Sequence, residues 1–417
     1  MDFKREESLL ADLKMAPRDP ILGMTEAFVA DSNPNKVNLG VGVYYDDQGK
    51  VPLLECVRLT DQALTESSLA RPYLAMDGFP EFVRAVQTLL FGADHSAVAQ
   101  GRVTTVQAVG GTGGLKVGAD FIRRFAPKAA LYMSDPSYDN HRPLFEEAGF
   151  RVETYPYYDP RTRGIRFAEM LEFLRDIPKG SVALLHACCH NPTGVDIRGE
   201  QWKDVIKVVA ERRLIPFLDF AYQGFGDGVD EDAEVARRFA RELPLVLVAM
   251  SFSKSFSLYG ERVGSLSVVT ADSGEAARVL SNLKRMIRTN YSNPPSHGAR
   301  IVASVLASPE LSALWRKEVL VMRDRVRSMR RELVERLNKR IPDDFGFILQ
   351  QRGIFSYSGL SREQMVAMRE RYSVYGIESG RICVAALNPR NLDYVADAIA
   401  ATVALSAAEL SKPRAAA

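Results

Sequence analysis

The stretch SFSKSFSLYGERVG, Ser251 to Gly264, sets a single lysine, Lys254, among serines and aromatic residues, with no acid beside it until Glu261 and Arg262 close the motif. The run LPLVLVAM precedes it and reads as a buried strand, so the amine sits just past that strand's C-terminal end. An amine desolvated among hydroxyls and rings loses affinity for its proton and becomes available as a neutral nucleophile of the Schiff-base type. Asp219 closes another apolar run, LIPFLDF, and Tyr222 follows at a short turn. A carboxylate so placed needs a cationic or hydrogen-bonding partner to stay charged.

Together the two residues suit pyridoxal phosphate. The amine would take the aldehyde, and the carboxylate would keep the pyridinium nitrogen protonated so that the ring acts as an electron sink. The cluster VGGTGGLKVGADFIRR adds a phosphate cradle, with backbone N–H groups around Gly111 and Thr112 at the start of an amphipathic helix. It lacks both the P-loop lysine and the dinucleotide-binding glycine spacing, and on its own it is equally a tight turn. Arg262 supplies a cation suited to a bidentate phosphate contact, and Ser251 and Ser253 supply hydroxyls. Arg288 in IRTNYSNPPSHG and Arg381 in ESGRICVAALN lie in irregular or strand-edge contexts, where surface solvation is the commoner fate of arginine. LLHACCHNPTG holds His186, Cys188, Cys189 and His190, but successive strand residues point to opposite faces and no second Cys/His cluster completes a zinc set, so no metal is expected.

These groups need elements that bring them together. The runs AALYMSD, SVALLHA, LIPFLDF, LVLVAMSF and GSLSVV alternate with helix-length segments between about residues 50 and 310. That alternation predicts right-handed crossovers and a mostly parallel sheet covered on both faces, with ligands at the carboxyl ends of the strands. DPSYDNH, CCHNPTG, DFAYQGFG and SKSFSLYGERVG each follow such a strand directly, so four strand ends converge on one site. A long amphipathic helix over about 311 to 340 follows, its arginines on a solvated face. Beyond it FGFILQQRGIFSYSGL, YSVYGIES and GRICVAALN read as short strands with an intervening helix, followed by LDYVADAIAATVALSAAEL as a helix. The expected division is a large cofactor-binding domain over 49–319 and a smaller α/β domain made of 1–48 with 320–417, ending in a disordered SKPRAAA tail.

The composition narrows the partners. Lysines and arginines, 54 in the chain of 417, nearly balance 52 acids, so no global field recruits nucleic acid or an anionic membrane. No run approaches the roughly 20 apolar residues of a membrane helix, and the N-terminus has no signal-like apolar core, so a cytoplasmic location is expected. Four cysteines fit free thiols in a reducing compartment.

The motifs VNLGVGVYYDDQGK, YLAMDGFPEF, GGTGGLKVGADF, DPSYDNH, HACCHNPTG, FLDFAYQGFG, SFSKSFSLYGERVG, RTNYSNPPSHGA and SGRICVAALN run in order over nearly the whole chain. In this they resemble the fold-type I, pyridoxal-phosphate-dependent aminotransferases of the aspartate and aromatic amino-acid group. The resemblance implies an α/β fold with a mostly parallel seven-stranded sheet and a second, smaller domain. It implies that Lys254 carries the cofactor and moves the proton of the reaction, and that Asp219 pairs with the ring nitrogen. Tyr222 and Asn191 would hydrogen-bond the phenolic oxygen. Gly111, Thr112, Ser251 and Arg262 would hold the phosphate, joined by Tyr73 from a neighbouring subunit. Arg381, with Gly42 nearby, would clamp the substrate α-carboxylate, and Arg288 would reach across a homodimer to a side-chain carboxylate. Tyr138 stands where the family usually stacks a tryptophan on the ring. Tyr45 and Val51 replace a lysine and a threonine typical of aspartate-preferring members, and with TYPYYD they look like the aromatic branch, whereas Thr112 and Asn293 look aspartate-like. The implied activity is transamination of tyrosine, phenylalanine and dicarboxylic amino acids with 2-oxoglutarate. An aspartate aminotransferase is the near alternative, and a cofactor-binding protein that has lost transamination is the distant one.

Overall fold

The computed structural model describes residues 10–15, 22–68, 70–342 and 344–410; the SKPRAAA tail and most of the N-terminal stretch lie outside them. Seven strands form the central sheet: β1 (Val103–Val109), β2 (Leu131–Asp135), β3 (Val152–Pro156), β4 (Val182–His186), β5 (Ile215–Phe220), β6 (Val246–Ser251) and β7 (Val263–Val269). Their order across the sheet is β1-β7-β6-β5-β4-β2-β3, and every neighbouring pair is parallel except the two made by β7. The five runs expected from apolar composition are all strands. β1 and β3 complete the sheet at its edges with more polar sequences, VTTVQAV and VETYP.

Both faces of the sheet are buried, which is why its strands read as continuous apolar runs. Val182, Leu184, Phe217, Leu247 and Ala249 face one core, with helices α1 (Gly110–Phe125) and α2 (Ser273–Asn290). Their neighbours Ala183, Leu185, Leu218, Val246, Val248 and Met250 face the other core, with Trp202, Val205 and Phe239. The turn from β1 into α1 depends on Gly110, whose φ is +67° and where a Cβ would lie 2.3 Å from the Arg262 guanidinium. Only a residue without a side chain lets the helix start so close under that cation.

Helix α3 (Pro309–Arg340) starts where expected, with Ser308 accepting from Leu311 N and Pro309 in the first turn. Trp315, Val319, Met322, Val326, Met329, Leu333 and Leu337 recur on its buried side at helical spacing. Much of its basic face pairs with acids, Arg325 with Asp47, Arg336 with Asp393 and Arg340 with Asp397. Arg330 departs from the solvated reading: it is 3% exposed and donates to the carbonyls of Gly353 and Phe355 and to Ser356 Oγ. These acceptors belong to β8 (Phe355–Tyr357) and the turn before it, where FGFILQQRGIFSYSGL forms a 3-10 turn over Gly346–Gln350 and then a strand rather than one extended segment. β8 pairs antiparallel with β9 (Arg381–Cys383), and the N-terminal pair Val37–Asn38 joins Val374–Tyr375 in parallel.

Replacing Arg330 by alanine removes the donor for three buried acceptors, each costing about 1 kcal/mol or more when left unpaired. The expected loss is about 3 kcal/mol in urea-unfolding stability, and a loss under 1 kcal/mol would show that the arginine is not the staple of this segment.

Candidate active site

The strand ends do converge. A cavity of about 270 Å³ is lined by Gly42, Gly111, Thr112, Tyr138, Asn191, Asp219, Tyr222, Ser251, Ser253, Lys254, Arg262 and Arg381, together with Val41, Leu115, Ala221, Tyr259 and Phe355.

Lys254 is held from below. The Phe256 ring stacks on Trp315 of α3 at 4.8 Å, and Trp315 Nε1 donates to Ser255 O at 2.8 Å, so the lysine's loop is pinned to the long helix. Lys254 Nζ lies 5.2 Å from the centroid of the Tyr222 ring. Burial lowers its pKa to about 8, Asp219 opposes that and the Arg262 cation adds to it. This is the neutral-amine setting expected of a nucleophilic lysine.

Burial alone would raise the Asp219 carboxyl, but the hydrogen bond from His141, with the neighbouring histidines and Lys254 adding to it, more than offsets that and holds the group below the usual carboxylate range. His141 Nε2 donates to Asp219 Oδ2 at 2.9 Å, which leaves Nδ1 to accept from Ser137 Oγ at 2.9 Å. His186 sits beside them, its Nδ1 accepting from Asn191 N at 3.1 Å. Ligand atoms of His141, His186 and Asp219 fall within 4.8 Å of one another, a spacing that could hold a metal ion. Two of these atoms are already joined by the His141–Asp219 hydrogen bond, and burial lowers the pKa of His186 to about 3. Burial also raises the Tyr222 hydroxyl well above its ordinary value.

Helix α1 begins with no side-chain cap, so among the described residues no side chain satisfies its first N–H groups, and two of those residues, Gly111 and Thr112, line the cavity. Arg262 lies over this terminus and is fixed by Nη1 donating to Tyr259 O at 3.0 Å and Ser253 Oγ at 3.2 Å. A helix N-terminus, a guanidinium and two serine hydroxyls form an anion site.

Arg381 makes a second one. Its side chain is 1% exposed; Nη2 donates to Gly40 O at 2.8 Å, Nη1 to Asn191 Oδ1 at 3.1 Å, and Phe355 lies under it at 4.3 Å. Its Nε has no hydrogen-bond partner among the described residues, a buried donor that a bound carboxylate would satisfy. Gly42 permits this packing, since a Cβ there would stand 2.6 Å from the Phe355 ring.

An amine, a ring-nitrogen carboxylate, a phosphate site and the Tyr138 ring all line one cavity, so the donor set fits pyridoxal phosphate. The remaining expected residues lie elsewhere. Tyr73 is 91% exposed, and Arg288 is exposed near the end of α2, where it donates to Ser292 Oγ. Tyr45, Val51 and Asn293 do not line the cavity. Sequence reasoning did not single out His141, Tyr259 or Phe355. His141 was signalled by its place in a polar cluster after a strand and Tyr259 by its place in the lysine motif, whereas Phe355 carried no signal.

The fold and site define a fold-type I α/β enzyme architecture. The family model for aminotransferase class I and II matches residues 34–399, and the chain belongs to that family. An aspartate aminotransferase of Pseudomonas aeruginosa is 53% identical, covering 94% of this chain and 99% of its own length. The aromatic-amino-acid aminotransferase of Escherichia coli is 49% identical, covering 92% and 98%. A crystal structure of the aromatic-amino-acid aminotransferase from Burkholderia pseudomallei, covalently bound to pyridoxal phosphate, superposes with a TM-score of 0.93 at 58% identity, covering 95% of this chain and 99% of that one.

Because the amine's folded-state pKa is depressed from 10.5 to about 8, it is neutral above about pH 8. The cofactor-free protein is therefore expected to combine with pyridoxal phosphate about tenfold faster at pH 9 than at pH 7, levelling off above that. A rate still climbing at pH 10 in stopped-flow absorbance would rule out the depressed amine.

Proposed function

We propose that the protein is a homodimeric aminotransferase that transfers the amino group of tyrosine, phenylalanine and dicarboxylic amino acids to 2-oxoglutarate by a ping-pong mechanism, yielding the 2-oxo acid and L-glutamate. The observation that carries this reading is one cavity holding an amine of lowered pKa and two separate guanidinium anion sites, one for a phosphate and one for a carboxylate. Pyridoxal phosphate, when bound, supplies the aldehyde and the electron-accepting ring.

In this reading Lys254 holds the cofactor and moves a proton at the substrate Cα. Asp219, oriented by His141, keeps the ring nitrogen protonated. Tyr222 and Asn191 donate to the phenolic oxygen, and Tyr138 packs on the ring. Gly111, Thr112, Ser251 and Arg262 bind the phosphate, and Arg381 with Gly42 binds the α-carboxylate. The exposure of Tyr73 and Arg288 outside the cavity supports a site completed by a second copy, with Tyr73 reaching the neighbouring phosphate and Arg288 a distal carboxylate. We also propose the division into a large domain, 49–319, and a small one, 1–48 with 320–417, supported by the pairing of Val37–Asn38 with Val374–Tyr375. Among the described residues no helix is long and apolar enough to cross a membrane, and a cytoplasmic location is the proposed one. The second reading, an aspartate aminotransferase, is favoured by the name of the Pseudomonas aeruginosa relative.

Borohydride reduction of the holoenzyme should fix the cofactor to a peptide containing Lys254; attachment to any other lysine would end the assignment. A panel of phenylalanine, tyrosine and aspartate with 2-oxoglutarate separates the two substrate readings, since an enzyme limited to aspartate gives no turnover with the rings. Arg288→Leu should lower kcat/KM for aspartate about a hundredfold, the scale of a lost charge-assisted pair, and leave phenylalanine within about threefold. Equal losses on both would remove Arg288 from the distal-carboxylate role.

A further inference from the structure

Arg381 carries a buried positive charge with little negative charge near it. Its two hydrogen bonds go to neutral oxygens, Gly40 O and Asn191 Oδ1, and its Nε is unpartnered among the described residues. The carboxylate paired with it is Asp139, whose Oδ2 stands 3.8 Å from Nη1. That distance is too long for a hydrogen bond, so the pair is purely Coulombic. The two side chains differ sharply in exposure, 1% for Arg381 against 36% for Asp139, so the acid reaches solvent while the guanidinium is buried. Asp139 adjoins Tyr138, a cavity-lining residue, in the loop after β2.

We propose that Asp139 is an internal counter-ion that competes with the substrate's α-carboxylate for Arg381 and so sets the affinity of the site for carboxylates. The inference rests on the reading of Arg381 as the carboxylate clamp. With no substrate, Asp139 partly neutralises a guanidinium that burial has stripped of water. An arriving carboxylate can make the short, forked contact that Asp139 does not make, and therefore displaces its influence. The acid stays nearby as a like charge and weakens the bound state. The effect falls on every carboxylate alike, in ground state and transition state, which raises KM and hastens release without assisting chemistry.

The test uses the holoenzyme and 3-phenylpropionate, which has the carboxylate but no amine to react. Asp139→Asn should tighten its dissociation constant about three- to tenfold, the scale for a half-exposed charge at this range. KM for phenylalanine and for aspartate should fall by a similar factor. Asp139→Glu, which keeps the charge, should stay close to the parent. Unchanged or weaker binding in Asp139→Asn overturns the inference, as does equal tightening in Asp139→Glu, which would reflect altered packing. Arg381→Leu tells the two readings apart: it should abolish 3-phenylpropionate binding, and if binding persists the clamp assignment itself fails.

Discussion

Both faces of the seven-stranded sheet are covered, so its central strands carry their charged groups only at or next to their ends. The rest of the site follows from that constraint. Asp219 lies one residue before the end of β5, Ser251 closes β6, His186 closes β4, and Tyr138 and Asp139 follow β2 in a loop that leads into a helix starting at His141. Because these strands are parallel, their carboxyl ends lie side by side, and polar groups far apart in the chain share one cavity. The β1–α1 turn adds the free N–H groups of a helix start to the same wall.

Charge separation organises the cavity. Asp219 with its histidine partner, Arg262 beside the helix N-terminus, and the buried Arg381 are three separate charged groups brought to one cavity. Desolvation makes each of these groups costly alone and strengthens its response to a neighbour. Lys254 sits between an acid that favours its charged form and an arginine that opposes it, and burial decides the balance. The same physics leaves Arg381 with an Nε that has no partner among the described residues and with a carboxylate 3.8 Å away.

Helix α3 ties the chemistry to the scaffold twice. Near its start Trp315 holds the lysine loop, and about four turns on Arg330 holds the strand that brings Phe355 under Arg381. One rigid rod thus sets both the amine and the carboxylate clamp, and Arg330 is the one charged residue on its buried side.

Arg262 was legible in the sequence because it closes the lysine motif, and the glycine turn because its glycines cluster before an amphipathic helix. Lys254, Asp219 and Tyr222 were legible because each lies at or just past the end of a run whose hydrophobicity fixes a strand end. The central parallel strands were legible for the same reason. The edge strands β1 and β3 were not marked by composition, since their polar residues break the apolar run. Local sequence determined which groups can do chemistry and the strand ends from which they emerge. Only the tertiary structure decided that His141 would meet Asp219, that Arg330 would be buried, and that Phe355 and Asp139 would flank Arg381. Those contacts join residues tens to hundreds of positions apart, and no local periodicity records a partner brought in by packing.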